Sequence, residues 1–156
     1  MMMYRISKYD HKYRVGGKYL RDEWTDYSDI GKVFENKVLT EQEYFFVEQN
    51  YISCIVNVLQ TAGIESLSVK ALEEYTTVVW QNNQWLLIED LSSIFRDCLR
   101  NKCWCRLENN NSYVHFGYDY YVYVGVDLPF EKVTEICQKH NLFCNVQHSP
   151  YCETGG

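Results

Sequence analysis

Residues 40–62 carry the most regular hydrophobic pattern in this chain of 156 residues. Thr40 and Glu43 form a capping-box pair at its start, and Gly63 is a natural stop at its end. Between them, apolar residues recur at steps of three and four: Tyr44, Phe45, Val47, Tyr51, Ile52, Ile55, Val56 and Leu59. The pattern predicts one long helix with an apolar stripe. Because such a stripe is stable only when it is covered, the rest of the chain must supply a second layer.

The last third of the chain alternates between apolar and polar residues in the way that strands do. The predicted strands are 3–7, 102–108, 113–126 and 142–147, and two further predicted helices cover about 85–100 and 129–139. The segment 113–126 is either one strand or two strands broken at Gly117. These elements predict an α+β fold in a single domain, residues 1–156, in which an antiparallel sheet formed mainly by the C-terminal half packs against two or three helices.

Three stretches fit this scheme less directly. Residues 10–38 are polar, show no sustained period and are predicted to form a long irregular loop with a turn at Gly16-Gly17. The stretch around Asn82-Asn83 fits either a hairpin or the approach to a helix. Residues 153–156 are predicted to form a tail.

Charge is distributed unevenly along the chain, whose formal net charge is −6. Residues 1–39 contain eight Lys/Arg against six Asp/Glu, whereas residues 40–156 contain seven against fifteen. An acidic body repels nucleic acid and attracts basic proteins. We therefore expect a basic protein as partner and no binding of nucleic acid.

The cysteines and the lack of long apolar segments predict the cellular compartment. The N-terminus has no apolar core of a secretory signal, and no uncharged apolar run approaches the roughly 20 residues that span a bilayer. Seven cysteines, an odd number, fit free thiols in a reducing compartment better than a disulfide framework. We expect a cytoplasmic protein that does not cross a membrane.

The stretch NSYVHFGYDYYVYVGV, residues 111–126, is rich in tyrosine. If it forms one strand, alternation turns one side toward a helix: Val114, Phe116, Tyr118, Tyr120, Val122, Val124 and Val126. The opposite side carries the residues that we expect to contact a partner: Tyr113, His115, Asp119, Tyr121 and Tyr123. Tyrosine suits such a surface because its ring covers a large area at little cost in rotamer entropy. The alternative is that a helix covers this side as well, so that its tyrosines are core rings.

No catalytic or cofactor-binding motif is present, since the chain lacks a P-loop, a G-x-G-x-x-G turn and a nucleophile elbow. We therefore expect a non-enzymatic protein without a cofactor. Near the C-terminus, four residues of metal-ligand type follow one another closely: Cys137, His140, Cys144 and His148. Zinc is bound by such side chains in groups of four, but the close CxxC pair of many structural zinc sites is missing. Buried thiols and separate histidines are the alternative.

In size, acidity and tyrosine-rich α+β make-up, the chain resembles the small immunity proteins that bacteria encode beside secreted toxins. The resemblance concerns these overall properties of the whole chain. It rests on no sequence motif, so it assigns a role to no individual residue. It implies a cytoplasmic inhibitor that binds a basic toxin domain, with the acids Glu73, Glu74, Glu89 and Asp90 speeding the encounter. Two other functions stay open: a metal-binding protein or enzyme that uses the C-terminal cysteines and histidines, and a structural domain that acts through homo-oligomerisation.

Overall fold

Helix α1 (Glu41–Thr61) begins and ends where the capping pattern predicts. The computed structural model describes residues 1–152, and in it the Oγ1 atom of Thr40 accepts a hydrogen bond from the backbone N–H of Glu43 at 3.1 Å. Gly63 follows the helix at φ 75°, a left-handed conformation that glycine adopts without a steric penalty. The buried stripe of the helix consists of Tyr44, Glu48, Tyr51, Ile52, Cys54, Ile55, Val58 and Leu59.

The layer against which α1 packs is a seven-stranded sheet in which all neighbouring strands are antiparallel. In spatial order its strands are β11 (Phe143–Val146), β1 (Met2–Ser7), β10 (Val122–Val126), β9 (Tyr113–Phe116), β8 (Cys103–Glu108), β6 (Ser66–Glu74) and β7 (Trp85–Leu87). Most of these strands come from the C-terminal half of the chain. The predicted α+β class, with helices packed on an antiparallel sheet, is confirmed.

Two shorter helices, α2 (Leu91–Leu99) and α3 (Phe130–Lys139), lie beside α1 on the same side of the sheet. In α2, the ring of Phe95 lies 5.7 Å from that of Phe116 in β9. Helix α2 starts later than predicted because Trp85–Leu87 pairs with β6 as a strand, which makes the stretch before α2 a hairpin. Of the helices in the described residues, none is long and apolar enough to cross a membrane.

Residues 10–38 contain more local structure than the predicted irregular loop. They form the hairpins β2 (Arg14–Val15) with β3 (Lys18–Tyr19) and β4 (Val33–Phe34) with β5 (Lys37–Val38), and 3₁₀ turns at His11–Tyr13 and Tyr27–Asp29. Gly16 and Gly17 make the turn of the first hairpin, at φ 58° and 79°, as their sequence predicts. The segment is attached to the core by Trp24, whose buried ring lies 5.2 Å from that of Tyr44.

The tyrosine-rich segment is a hairpin, since β9 and β10 pair with each other. Of the two alternatives left open by the sequence, the break at Gly117 is therefore correct. The register sets Val124 opposite Val114, and both side chains are fully buried under the helices. It also sets Tyr123 opposite His115, and these two point to the other side of the sheet.

We call the side of the sheet that points away from the helices the open face. Its side chains are polar or aromatic: Arg5, Trp104, Arg106, Glu108, Tyr113, His115, Tyr123 and Asn145. The opposite side, under the helices, is mainly aliphatic and belongs to the hydrophobic core. The two sides therefore differ in chemistry as a half-solvated antiparallel sheet is expected to differ.

Candidate functional site

The last described residues, 147–152, lie across the open face, and we call them the C-terminal strap. The strap leaves the edge strand β11 with a hydrogen bond from the backbone N–H of Gln147 to the carbonyl of Met3, at 3.1 Å. Farther along, the ring of Tyr151 packs against that of Trp104 in β8, with 5.3 Å between the ring centroids. The strap thus covers the middle of the open face with side chains of the same chain.

His115 lies beneath the strap and has no exposed surface. Its Nδ1 atom lies 2.8 Å from Oγ of Ser149 in the strap, and its Nε2 atom lies 3.0 Å from Oε2 of Glu108 in β8. Burial lowers the pKa of the imidazole, and the neighbouring Glu108 carboxylate opposes this effect without reversing it. His115 is therefore neutral near pH 7 and bridges a hydroxyl and a carboxylate.

Ser149, His115 and Glu108 together have the composition of a hydrolase triad. However, Ser149 is 1% exposed, and its hydroxyl also accepts a hydrogen bond from the backbone N–H of Tyr151 at 3.1 Å. A nucleophile has to reach a substrate, whereas this hydroxyl is enclosed by the strap that carries it. The three residues therefore fasten the strap to the sheet.

The residues predicted to contact a partner occupy different environments. Tyr113 and His115 are buried beneath the strap, with their rings stacked at 4.2 Å. Tyr123 is half-buried, and its ring lies 6.2 Å from that of Tyr151. Asp119 is exposed in the turn between β9 and β10. The strap, and not a helix, covers this side, so Tyr113 and His115 make internal contacts while Asp119 and Tyr123 stay at the surface.

Tyr121, the remaining predicted contact, is held by basic side chains of the N-terminal region. The guanidinium of Arg5 lies 4.3 Å from the centre of its ring, and Arg14 donates a hydrogen bond to its hydroxyl at 2.5 Å. Its ring also lies 5.3 Å from that of Tyr9. The aromatic face of Tyr121 is therefore already in contact with cations of its own chain.

The turn between β9 and β10 presents Tyr118 to solvent, with 85% of its surface exposed. The next two residues, Asp119 and Tyr120, have φ values of 58° and 65°. A left-handed conformation costs a non-glycine residue of the order of 1 kcal/mol, and it persists only where the surroundings hold it. Strain of this kind is concentrated at functional sites more than elsewhere in proteins.

The core holds this strained turn in place. Tyr120 is buried, and its ring lies 4.8 Å from that of Tyr51 and 5.0 Å from that of Trp24. The hydroxyl of Tyr9 donates a hydrogen bond to the backbone carbonyl of Asp119 at 2.6 Å. Because two successive residues of the turn are anchored from below, the exposed ring before them is displayed on a fixed backbone.

A β-bulge in β6 brings a carboxylate to the same region. The register shifts by one residue between Lys70 and Glu73, so Glu73 stands opposite Trp104 in β8. In a regular ladder, Leu72 would take that position and Glu73 would face the helices. Ala71 lies within the bulge at φ 54°, a left-handed conformation that is unfavourable for a residue with a side chain. The bulge thus places an acidic side chain beside a half-exposed tryptophan.

The bulge and the turn meet at a cleft of about 240 Å³. Its walls include the rings of Tyr75, Trp104, Tyr118 and Tyr151, and its charged group is Glu73. The Tyr75 hydroxyl donates a hydrogen bond to Oε2 of Glu73 at 2.8 Å, and this bond raises the pKa of Tyr75 to about 12. The carboxylate is therefore oriented within a set of aromatic rings.

A second cleft, of about 410 Å³, lies on the other side of Tyr118 and is lined by Asp26 and Asp119 among others. Of the residues that the structure describes, no lysine or arginine lines either cleft, whereas three carboxylates do. We call the residues around these clefts the turn surface: Glu73, Tyr75, Trp104, Tyr118, Asp119 and Tyr151. Exposed rings with fixed carboxylates are complementary to a cationic partner.

A cleft of about 430 Å³ around Lys8 is different, because its buried cation is already paired. The Nζ atom of Lys8 lies 3.2 Å from Oε1 of Glu23, and 4.3 and 4.4 Å from the ring centres of Tyr9 and Trp24. Burial lowers the pKa of Lys8 to about 8, although Glu23 acts in the opposite direction. The Lys8 side chain therefore holds residues of the N-terminal region together by contacts within the chain, and its charge is already paired.

The C-terminal cysteines and histidines do not form one cluster, although Cys137 and Cys144 are in contact with each other. Cys137 and Cys144 are buried, and Sγ of Cys137 lies 3.7 Å from that of Cys54 in α1. His140 lies at the end of α3, and His148 is exposed in the strap, where its Nδ1 atom lies 2.9 Å from the Ser149 carbonyl. Among residues 1–152, no group of three or more histidine, cysteine, aspartate or glutamate side chains is arranged to hold a metal ion.

Sequence reasoning missed all four rings of the turn surface: Tyr75, Trp104, Tyr118 and Tyr151. Strict alternation predicts an inward Tyr118, but the turn between β9 and β10 interrupts the alternation and exposes its ring. Trp104 lies between the buried cysteines Cys103 and Cys105, and strand alternation turns a residue between two inward side chains outward. No local signal placed Tyr151, since its contacts are made by residues far away in the chain. Among the expected steering acids, Glu73 lines a cleft and Glu74 is exposed beside it.

The turn surface is thus the part of the described chain in which exposed rings, fixed backbone and unbalanced negative charge coincide. Comparison of the chain with protein-family models, with curated proteins and with solved structures found no match.

Proposed function

We propose that this chain is a non-enzymatic protein-binding module that docks a basic partner on the turn surface. The observation that carries the proposal is the display of Tyr118, an 85% exposed ring on a strained turn between two acidic clefts. Exposed tyrosine and tryptophan side chains are the most common anchors of protein interfaces. Carboxylates around such anchors speed the encounter with a positively charged protein.

The charge of the whole chain supports a basic partner. The formal net charge is −6, and residues 40–156 carry fifteen acidic against seven basic side chains. Among the residues that the structure describes, the two clefts of the turn surface are lined by the carboxylates Asp26, Glu73 and Asp119 and by no lysine or arginine. The field that an approaching protein meets at the turn surface is therefore negative.

More specifically, we propose an immunity-type inhibitor that acts in the cytoplasm and blocks the substrate surface of a basic toxin domain. This follows the resemblance of the chain to such proteins in size, acidity and tyrosine content. An inhibitor of this kind needs no catalytic centre, and its affinity comes from aromatic anchors and fixed carboxylates. The free cysteines at Cys54, Cys98, Cys103, Cys105, Cys137, Cys144 and Cys152 suit a reducing compartment.

Affinity capture from the native host tests the binding proposal. Immobilised wild-type protein is expected to retain a protein of basic isoelectric point and to release it at high salt. Tyr118→Ala is expected to lose this protein. Phe46→Ala serves as the matched control, because Phe46 is an exposed aromatic residue of α1 outside the turn surface. Retention by Tyr118→Ala equal to that by wild type, or no retained protein at all, would overturn the proposal.

The inhibitor proposal needs a separate measurement. The product of the gene adjacent to this one is expressed in a host lacking both genes, and growth is followed with and without the present protein. Wild type is expected to relieve growth arrest, and Tyr118→Ala is expected to relieve it poorly. If the wild-type protein does not relieve the growth arrest, the inhibitor proposal fails. The proposal that the chain binds a basic protein is then still tested by the affinity capture.

A further inference from the structure

We infer that the smaller cleft of the turn surface binds one cationic side chain of the partner, with Glu73 as its counter-ion and Trp104, Tyr118 and Tyr151 as its walls. This inference rests on the proposed function, since it names the chemical group that the turn surface recognises. The occupant is a lysine or arginine side chain carried by a basic protein segment.

The molecule already holds one of its own cations in the same arrangement. The ammonium of Lys8 lies over the rings of Tyr9 and Trp24, at 4.3 and 4.4 Å, and 3.2 Å from Oε1 of Glu23. The other carboxylate oxygen, Oε2 of Glu23, accepts a hydrogen bond from the hydroxyl of Tyr19. The arrangement thus comprises two rings, one carboxylate and one tyrosine hydroxyl that orients the carboxylate.

The same groups recur at the smaller cleft, where they are accessible from solvent. Tyr75 orients Glu73 as Tyr19 orients Glu23, with its hydroxyl donating to Oε2 at 2.8 Å. The rings of Trp104 and Tyr151, 5.3 Å apart, replace those of Tyr9 and Trp24. The difference is that the cation of the first arrangement is built into the chain, whereas that of the second has to come from a partner.

The size of the cleft suits a single side chain. Its volume of about 240 Å³ is below the range of roughly 300–1,000 Å³ that is typical for sites of whole small molecules. A cation over tryptophan or tyrosine is attracted by the negative face of the ring, and this attraction grows when water is displaced. A guanidinium additionally stacks flat on a ring and pairs with both oxygens of a carboxylate, which favours arginine over lysine.

Two segments of unfavourable backbone conformation position the side chains of the cleft. The bulge at Ala71 turns Glu73 toward Trp104, and the left-handed Asp119 and Tyr120 follow directly after Tyr118. Both distortions place residues in conformations that are unfavourable for their side chains. Two independent distortions therefore bring their neighbours to a single cleft.

Titration with single-residue probes tests the inference. The probes are N-acetyl-arginine methylamide, the corresponding lysine compound, and the citrulline compound as a neutral analogue of arginine. Binding is followed by nuclear magnetic resonance at the indole N–H of Trp104, which donates a hydrogen bond to the Phe116 carbonyl at 2.8 Å. The Trp104 signal is expected to shift with arginine, to shift less with lysine and to stay unchanged with citrulline.

Two variants separate the cleft from general electrostatic attraction. Glu73→Gln is expected to weaken the arginine probe by about fivefold, the upper end for an exposed ion pair. Glu74→Gln removes the same charge from the neighbouring exposed residue, which does not line the cleft, and is expected to change binding by less than about twofold. Both variants are expected to give dispersed amide spectra, which serves as the control for folding.

The inference is overturned if citrulline shifts Trp104 as arginine does, if Trp104 does not respond, or if both glutamate variants weaken the probe equally. Such a result leaves Tyr118-dependent capture of a protein partner intact. The converse outcome is that the wild-type protein retains no partner in the capture experiment while the arginine probe still shifts the Trp104 signal. That outcome would contradict the proposed function but not the cation cleft.

Discussion

Leu107 and Trp104 lie on the same strand, β8, and point to opposite sides of the sheet. Leu107 has no exposed surface and packs within the core under the helices. Trp104 is half-buried, donates its indole N–H to a backbone carbonyl and touches the strap. One side of the sheet is therefore sealed by three helices, and the other is covered in part by six residues of the C-terminal strap.

This difference separates the residues that stabilise the fold from those available for recognition. Aliphatic side chains under the helices lose all contact with water, which is the main source of folding free energy. On the open face, by contrast, the rings of Trp104, Tyr123 and Tyr151 keep part of their surface in water. Aromatic residues on this side therefore contribute less to stability and more to a surface that a partner can contact.

Leu107→Ala is expected to have the largest effect on stability. The side chain is fully buried, so its removal leaves a cavity and costs about 2–5 kcal/mol of the free energy of unfolding. Urea denaturation followed by circular dichroism measures this cost. Tyr123→Ala, on the open face, is expected to cost clearly less, and an equal cost would contradict the contrast between the two sides.

Ser149→Ala is expected to loosen the strap. It removes the hydroxyl that contacts His115 and accepts from the N–H of Tyr151, and it leaves buried polar atoms unpaired at a cost of about 1–3 kcal/mol. Hydrogen exchange should become faster in residues 147–152 while the core of α1 stays protected. Gln147→Ala removes an exposed side chain of the strap but keeps its backbone N–H, so it is the control and should leave the exchange unchanged.

Acidification is expected to destabilise the protein through His115. Its pKa in the folded protein is lowered by burial, so below about pH 6.5 the unfolded chain takes up a proton that the folded chain does not. The free energy of unfolding should fall between pH 7.5 and pH 5.5, by at most about 1.4 kcal/mol per pH unit from this residue. His115→Gln should reduce the slope. His140→Gln removes a less buried histidine and should reduce it less.

Tyr118→Ala is expected to leave stability almost unchanged. Its ring is 85% exposed, so the free energy of unfolding should change by less than about 0.5 kcal/mol. Binding of the captured partner should nevertheless weaken by at least about tenfold, as is typical for an aromatic anchor. Urea denaturation and a binding titration on the same sample make the comparison. A large loss of stability would place Tyr118 among the residues that support the fold.

Much of the fold could be predicted because it depends on neighbours in the sequence. Thr40 caps α1 because its side chain reaches an amide three residues away, and helix periodicity then selects the buried stripe. Val114 and Val124 face the core because strand alternation has a period of two. Capping, helix periodicity and strand alternation each depend on residues a few positions apart, so their outcome can be predicted from the local sequence.

The site depends on contacts that no local rule contains. A shift of one residue at Ala71 decides that Glu73, and not Leu72, stands beside Trp104. Tyr118 becomes exposed because the core anchors the residues that follow it in a left-handed turn. The strap brings Tyr151 onto strands that lie many residues earlier in the chain. Local periodicity thus specified the helices, most strands of the seven-stranded sheet and the buried side of that sheet. Register, backbone strain and long-range packing involve residues that are distant in sequence, and they placed the groups of the turn surface.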